Sequence, residues 1–291
     1  MKLKQIDVPH PRPPVFSEFK REQMMAWAVK QAKVQGIPRL LQNDMDDEIV
    51  TIVGYGPSLE DTWHTIKPPL ITVSGSLNFL ISKGMKPGEG WYHCDIDPRP
   101  HKLEFITPAR DDVTYLMASV CNPATWKHLR GKKVVMWHAM SGPNTPKWIE
   151  ENDPGTLLVI AGSTVGLCAV HLGGCMGYRH FEIHGFDGSF RNGKRHAGDH
   201  NGYPQAEIDR IEEWGSFKTS KIMDNANYEV HYMVDNFPIF CVFHGDGLMQ
   251  GWIRHSRLQN ACTADDPRAD SIRNGKYIEL TEEEARLLKV A

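Results

Sequence analysis

The chain has 291 residues, 24% of them charged, with a formal net charge of −3 at pH 7. That length suits one large α/β domain or two small ones. The weak negative charge excludes a global basic field, so a nucleic-acid contact would need a local patch, and none is evident. No apolar run approaches membrane-spanning length, and the first residues lack the apolar core of a signal peptide, so we expect a cytoplasmic protein. Six scattered cysteines without a C-x-x-C pair predict reduced, buried thiols.

Residues 1–47 differ from the rest of the chain. Four prolines between residues 9 and 14 predict a stiff, extended lead-in. Ser17 can then cap a helix that runs to about Gly36. Apolar residues at helical spacing, Met24, Trp27, Ala28 and Ala32, mark one face of this helix. We expect this face to pack on the main domain; a dimer or partner surface is the alternative, which leaves a homo-oligomer open.

Short apolar runs with little alternation recur from residue 49 onward, as expected for strands covered on both faces. Helical patterns fall between several of them, notably at residues 164–176 and 206–214. This alternation predicts an α/β, Rossmann-like, mostly parallel sheet flanked by helices, with an N-terminal helical extension. We assign residues 48–255 to that domain and residues 256–291 to a C-terminal tail with a short acidic helix. The candidate strands are residues 49–53, 70–73, 91–94, 113–117, 133–137, 157–160, 180–184 and 238–243.

The first strand ends in the turn Gly54-Tyr55-Gly56-Pro57-Ser58. Ligands of such sheets bind at the carboxyl ends of the strands. Gly54 and Gly56 can adopt backbone angles closed to other residues and let a phosphate or sugar approach the main chain. The turn is neither a Walker loop nor a complete G-x-G-x-x-G fingerprint. It therefore indicates either a nucleotide site or an ordinary tight connection.

Hydroxyl and acidic residues follow the next two strands. Ser74-Gly75-Ser76 follows the second strand, and Asp95 and Asp97 follow the third. Two carboxylates so spaced at a strand end can share a Mg²⁺ or Mn²⁺ ion that bridges a diphosphate. The alternative is a turn, because Asp-Pro is common turn chemistry.

The sixth strand leads into Gly162-Ser163-Thr164, which opens a helix. Free N–H groups at a helix start, together with the helix dipole, form an anion site. Ordinary N-capping by Ser163 or Thr164 is the alternative. The small residues that follow suggest a helix pressed closely on the sheet.

The seventh strand is followed by Asp187 and a long polar loop. A loop so rich in charged and titratable groups suits a lid that carries a general base and phosphate-neutralising cations. Metal binding by its histidines and a purely solvated loop are the alternatives. His138 and His244 follow other strands, where they could border the same crevice. The loop groups are Lys194, Arg195, His196, Asp199 and His200.

These motifs carry a family resemblance. Residues 54–59 (GYGPSL), 162–165 (GSTV) and 176–187 (MGYRHFEIHGFD) resemble the MptE-like family. That family includes archaeal 6-hydroxymethylpterin diphosphokinases and Maf motility-associated flagellin glycosyltransferases. The order of the motifs is also similar to that of Campylobacter-type bacterial sialyltransferases. The resemblance covers roughly residues 48–255.

The resemblance implies a Rossmann-like, nucleotide-binding transferase. It implies that Asp187 holds ribose or metal, and that a histidine corresponding to His200, or on a shifted alignment Asp199 or His196, is catalytic. The relatives place an asparagine where this chain has Ser74-Gly75, so base or ribose recognition there differs. Gly54, Gly56, Pro57 and Ser58 would line the nucleotide phosphate or ribose, and Ser163 and Thr164 would contact nucleotide or acceptor. The other expected nucleotide- and phosphate-binding residues are Ser74, Gly162, Lys194 and Arg195.

Three functions remain open from the sequence. The leading hypothesis is glycosyl transfer from a nucleotide-activated sugar to a hydroxyl acceptor, with a histidine as base. The second is diphosphoryl transfer from ATP to a hydroxymethyl group, with Mg²⁺ held by Asp95, Asp97 or Asp187. The third is a non-catalytic structural or partner-binding protein. The expected cofactor is accordingly a nucleotide sugar or ATP, with Mg²⁺ or Mn²⁺ in the metal-dependent case.

Overall fold

The computed structural model describes residues 18–44, 46–160, 162–198, 206–256, 258 and 260–274. The leading prolines, the Ser17 cap, Asp199, His200 and the acidic helix expected near the C-terminus lie outside these residues. The strands are β1 (Asp46–Val53), β2 (Leu70–Val73), β3 (Trp91–Asp95), β4 (Thr114–Ala118), β5 (Lys133–Ala139), β6 (Leu158–Val159), β7 (Tyr178–His184), β8 (Ile208–Glu212), β9 (Gly215–Thr219), β10 (Phe240–Phe243) and β11 (Ala261–Thr263). The α-helices are α1 (Glu18–Gln35), α2 (Leu59–Thr62), α3 (Ser76–Ser82), α4 (Pro123–His128), α5 (Thr145–Asn152), α6 (Val165–Cys175), α7 (Lys221–Asn236), α8 (Leu248–His255) and α9 (Ala269–Arg273).

Nine strands form one sheet in the order β11-β10-β7-β1-β2-β3-β4-β5-β6. Every neighbouring pair is parallel. The chain moves outward from β1 to β6, returns to β7 on the other side of β1, and then continues to β10 and β11. The strand order therefore reverses between β1 and β7, and such a switch point opens a crevice at the carboxyl ends of the strands. The predicted α/β architecture is confirmed, and each predicted strand is present.

Helix α1 packs on the sheet as predicted. Met25, Ala28 and Ala32 on its inner face are at most 1% exposed. The helix ends at Gln35, and the next residue, Gly36, has a φ of +63°, the left-handed conformation that favours glycine after a helix. The apolar face of α1 is thus part of the main hydrophobic core.

Helix α6 lies close against the sheet because small residues face it. A Cβ added at Gly173 would lie 2.7 Å from Cε1 of Phe181 on β7. The Thr164 hydroxyl caps the helix by accepting a hydrogen bond from the Leu167 N–H at 3.3 Å. This packing fixes the start of α6 at the carboxyl edge of the sheet.

The prediction of a helix over residues 206–214 is wrong. Residues 208–212 of this stretch form β8, which pairs antiparallel with β9 in a two-stranded ribbon. The Glu, Ala and Arg residues of this stretch favour a helix locally. Pairing with β9 instead supplies hydrogen-bond partners to the backbone N–H and C=O groups of β8, and this tertiary pairing overrides the local propensity. The Phe190 N–H donates to the Lys218 carbonyl at 2.7 Å. The ribbon is thereby attached to the loop that follows β7.

The end of the described chain also belongs to the sheet. Strand β11 pairs with β10, with Cys241 opposite Ala261, and α9 packs on β10. Residues 261–263 thus add an edge strand to the sheet. The domain boundary expected at residue 255 stays a prediction. In the described part of the chain no helix is long and apolar enough to cross a membrane. All six cysteines are free thiols, five of them buried, as predicted.

Candidate active site

The loops that leave β1 and β7 remain hydrogen-bonded to each other beyond the strands. The Gly54 N–H donates to the His184 carbonyl at 2.8 Å, and the Gly56 N–H donates to the Gly185 carbonyl at 2.9 Å. Gly185 has a φ of +66°, a conformation that glycine tolerates best. The glycine turn and the G-x-D segment therefore form one joined structure at the switch point.

The glycines of the turn make room for the protein's own chain. A Cβ at Gly56 would lie 2.1 Å from Oδ2 of Asp187, and one at Gly54 would lie 2.5 Å from the Gly185 carbonyl oxygen. The space at Gly56 that the sequence analysis offered to a phosphate is thus filled by the Asp187 carboxylate. The nucleotide-binding roles expected for Gly54, Gly56 and Pro57 stay predictions.

Asp187 is buried where the loops after β1 and β7 meet the start of α8. Its Oδ2 accepts a hydrogen bond from the Ser58 N–H at 3.1 Å, and its carbonyl accepts one from the Met249 N–H at 3.0 Å. Burial, with a contribution from Asp246, raises the pKa of Asp187 to about 6. A carboxyl group whose pKa lies near neutrality at a strand-end crevice can accept or release a proton at physiological pH.

The turn after β2 packs on Tyr55. A Cβ at Gly75 would lie 2.3 Å from Cε1 of the Tyr55 ring. Ser76 donates through Oγ to the Val53 carbonyl at 2.8 Å, which joins this turn to the end of β1. Ser74, which has a φ of +52°, lies in the bend between the end of β2 and the start of α3. Ser74 thus lies at the same edge of the sheet as the glycine turn.

The loop after β7 folds onto the glycine turn as far as the structure describes it. The Ala197 N–H donates to the Tyr55 carbonyl at 3.0 Å. The His196 ring stacks on Tyr55 with centroids 5.1 Å apart, and its Nδ1 donates to the same carbonyl at 3.2 Å. The Arg195 Nε–H donates to His196 Nε2 at 3.0 Å. This pattern requires a neutral imidazole with its proton on Nδ1.

Cationic side chains lie along this loop. Arg191 forms ion pairs with Asp61 of α2 and, at 3.2 Å, with Asp246 of the loop before α8. Backbone hydrogen bonds of 2.9 Å in both directions join Arg191 and Lys194 in a tight turn. Arg195 is half-buried, and burial lowers the pKa of its guanidinium group. The loop thus carries three cationic side chains beside the glycine turn, and two carboxylates pair with Arg191.

The start of α6 holds an anion that belongs to the protein. The Ser163 N–H donates to Oε2 of Glu229 on α7 at 2.7 Å. A Cβ at Gly162 would lie 3.3 Å from the same oxygen. Thr164 thus caps the helix, as the capping alternative predicted, and Glu229 occupies the Ser163 amide. Binding of a nucleotide phosphate at this helix start stays a prediction.

Asp95 and Asp97 form a turn. Oδ1 of Asp95 accepts hydrogen bonds from the N–H groups of Ile96 at 2.8 Å and Asp97 at 2.9 Å. The Asp97 carboxylate is paired with Arg99, and Lys102 Nζ lies 3.7 Å away. These contacts are the ones expected if Asp95 and Asp97 serve as turn residues. The metal site predicted for this pair of carboxylates stays a prediction.

Two histidines that follow predicted strands have different surroundings. His138 lies within β5 and is fully buried, with ring nitrogens bonded to Ser119 Oγ at 2.7 Å and Asp153 Oδ2 at 3.1 Å. It lies away from the β1/β7 switch point, because β2, β3 and β4 separate its strand from β1. His244 stacks on His184 with ring centroids 3.9 Å apart. No sequence motif pointed to Glu182 or His184 as functional residues, although the spacing E-x-H on a strand places these two side chains on one face.

The family model described as "6-hydroxymethylpterin diphosphokinase MptE-like" matches residues 23–193. A solved structure of the MAf glycosyltransferase from Magnetospirillum magneticum AMB-1 is similar, with a TM-score of 0.59 at 14% sequence identity. The similarity covers 92% of this chain and 41% of that one, so the chain spans about two fifths of the length of that glycosyltransferase. No curated protein matches the sequence. At this identity the structural likeness concerns the fold, and it extends over nearly the whole chain.

Proposed function

The chain belongs to the MptE-like family, and on that premise we propose that it is a nucleotide-dependent transferase that moves a sugar from a nucleotide-activated donor to a hydroxyl acceptor. One observation carries the proposal. At the β1/β7 switch point, the glycine turn, the buried Asp187 carboxylate and the cationic loop at 190–198 come together. That is where an open α/β sheet binds its ligand. The likeness to a Maf glycosyltransferase favours a sugar donor.

Each group has a proposed task. Lys194 and Arg195 neutralise the leaving phosphate, because charge that develops there is stabilised by fixed cations. His196, held neutral by Arg195 and Tyr55, orients the loop. His200 removes the proton of the acceptor hydroxyl, and Asp199 is the rival base.

Diphosphoryl transfer from ATP to a hydroxymethyl group is the second candidate, and the description of the matching family model favours it. Both reactions join an alcohol to a phosphate-linked donor, so one crevice can serve either. A Mg²⁺ or Mn²⁺ ion would supply charge neutralisation to the donor phosphates. Because Asp97 is already paired with Arg99 and Lys102, this proposal assigns no metal-dependent step to the Asp95/Asp97 pair.

Nucleotide products distinguish these functions. The purified chain is incubated separately with a panel of nucleotide sugars and with ATP, each together with a mixture of hydroxyl-bearing acceptors that receives the transferred group, and the nucleotides are identified by mass spectrometry. Release of CMP or a nucleoside diphosphate from a nucleotide sugar supports glycosyl transfer. Formation of AMP from ATP supports the diphosphokinase. Intact donors throughout would favour the non-catalytic alternative and contradict the proposal.

The base assignment has its own experiment. Loss of a positioned base costs about 10²–10⁴-fold in rate, so His200→Ala should lower kcat by that factor with little change in donor affinity. A histidine base loses activity as pH falls through about 6 to 7, and an unperturbed aspartate does so only near 4. Wild-type kcat in His200→Ala, or a pH–rate profile that falls only near 4, would transfer the role to Asp199.

A further inference from the structure

Three potential metal ligands meet where β7 and β10 end. Glu182 and His184 are two residues apart on β7, so both project from the same face of the sheet. His244 directly follows β10, and its N–H donates to the Ile183 carbonyl at 2.9 Å. One ligand atom from each side chain lies within 4.8 Å of the others. None of these side chains has a task in the proposed reaction.

A buried, unsatisfied nitrogen points to a missing partner. His184 is only 1% exposed, and its Nδ1 finds no hydrogen-bond partner among the described residues. A buried polar atom left unpaired is costly, and each such case in a folded protein calls for a water, an ion or another ligand.

The remaining two ligands are partly open to solvent. The Glu182 and His244 side chains are 16% and 13% exposed, and they contact each other through Oε2 and Nε2. Arg273 donates to the other carboxylate oxygen, Oε1, at 2.6 Å and also contacts Asp270 at 3.1 Å. Arg273 thus orients Glu182 in the way that outer partners orient ligating carboxylates, and it leaves Oε2 for another bond.

We propose that Glu182, His184 and His244 bind one divalent transition-metal ion of the zinc class, with solvent completing its coordination. Two imidazoles and one carboxylate are a ligand set that zinc and similar ions take, and that Mg²⁺ and Ca²⁺ do not prefer. Bonds of about 2.0–2.1 Å in tetrahedral geometry bring ligand atoms about 3.3 Å apart. Binding therefore replaces the Glu182–His244 contact and tilts the two stacked rings toward one ion.

Cobalt is the probe for this site. The full chain is stripped with EDTA, dialysed and titrated with Co²⁺, and visible absorption and the bound metal content are measured. We expect one equivalent to bind with the absorption bands of low-coordinate cobalt, to be displaced by Zn²⁺, and to raise the melting temperature. Absence of stoichiometric cobalt and zinc binding would overturn the proposal and leave a hydrogen-bonded ion pair with Arg273.

Variants locate the bound ion. His244→Ala and Glu182→Gln remove the partly exposed ligands and should weaken cobalt binding by more than the roughly 10–100-fold that loss of an outer partner costs. His255→Ala, an exposed histidine on α8, is the matched control and should bind as wild type does. Far-UV circular dichroism establishes that each variant is folded. Unchanged binding in folded His244→Ala would contradict the assignment. These readouts do not depend on transferase activity, so the two proposals fail separately.

Discussion

The Glu229 carboxylate on α7 accepts a hydrogen bond from the Ser163 N–H at the start of α6, at 2.7 Å. A helix start attracts anions through its free amides and its dipole. The chain thus places its own negative charge where the family resemblance implies contact with nucleotide or acceptor. A donor phosphate that uses this amide must compete with Glu229.

Removing that charge should strengthen donor binding. Glu229→Gln keeps the length of the side chain and an oxygen for Ser163, but it abolishes the competing charge. An interaction of about 0.3–1 kcal/mol with a helix end corresponds to an affinity gain of about two- to five-fold. Calorimetric titration with the preferred donor measures this gain in affinity. Asp235→Asn removes the same charge further along α7 and should have no effect; equal affinities in all three proteins would exclude phosphate from this amide.

The buried, charged Asp187 carboxylate should lower the free energy of unfolding at neutral pH. Its pKa is raised to about 6 by burial, whereas an unfolded aspartate titrates near 3.9. The Asp187 carboxyl therefore binds its proton more tightly in the folded state than in the unfolded state. Protonation of Asp187 thus stabilises the folded protein fully below pH ~4, and this stabilisation is lost as pH rises through about 6. Asp187→Asn should unfold at a higher temperature than wild type at pH 7.5, by an amount equivalent to roughly 2–3 kcal/mol. The difference should shrink toward pH 4.

Asp153→Asn supplies a control of opposite sign. Burial acts to raise the pKa of Asp153, but hydrogen bonds from Arg39 and His138 outweigh it and lower the pKa. The charged Asp153 carboxylate therefore stabilises the folded state above the pKa of an unfolded aspartate, and this stabilisation is lost as pH falls through the lower pKa of the folded state. Asp153→Asn should accordingly be less stable than wild type at pH 7.5. Melting curves from pH 4 to 8 measure both variants. Parallel curves for wild type and Asp187→Asn would show that the Asp187 carboxyl is not perturbed.

Local patterns predicted those parts of the fold that depend on near neighbours. The apolar runs gave the strands of the parallel sheet, and Thr164 caps α6 because its partner Leu167 is three residues away. The contact between Ser58 and Asp187 joins positions 129 apart in sequence, so no local pattern reveals that Asp187 fills the space beside Gly56. The ribbon of β8 and β9 was missed for a related reason: its strand pairing overrides residues that favour a helix.

Two adjacent glycines of α6 should respond in opposite ways to alanine. A Cβ at Gly174 meets nothing within 4 Å among the described residues, so Gly174→Ala should stabilise by about 0.5–1 kcal/mol through its helix propensity. A Cβ at Gly173 would lie 2.7 Å from the buried Phe181 ring, so Gly173→Ala should destabilise by about 1–3 kcal/mol through overpacking. Urea denaturation followed by circular dichroism measures both. Equal effects would contradict the close packing of α6 on β7.

Direct nucleotide binding tests the central claim, that the crevice at the β1/β7 switch point holds a nucleotide-activated donor. Wild type is titrated calorimetrically with CMP, UDP, GDP and ATP, beside a Lys194→Ala/Arg195→Gln double variant. Arg254→Gln, which changes an exposed arginine paired with Asp265, is the control. We predict that wild type and control bind at least one of these nucleotides, and that the double variant binds it at least about tenfold more weakly, since charge-assisted hydrogen bonds contribute about 1.5–3 kcal/mol. No nucleotide binding by wild type, or equal binding by the double variant, would contradict this account.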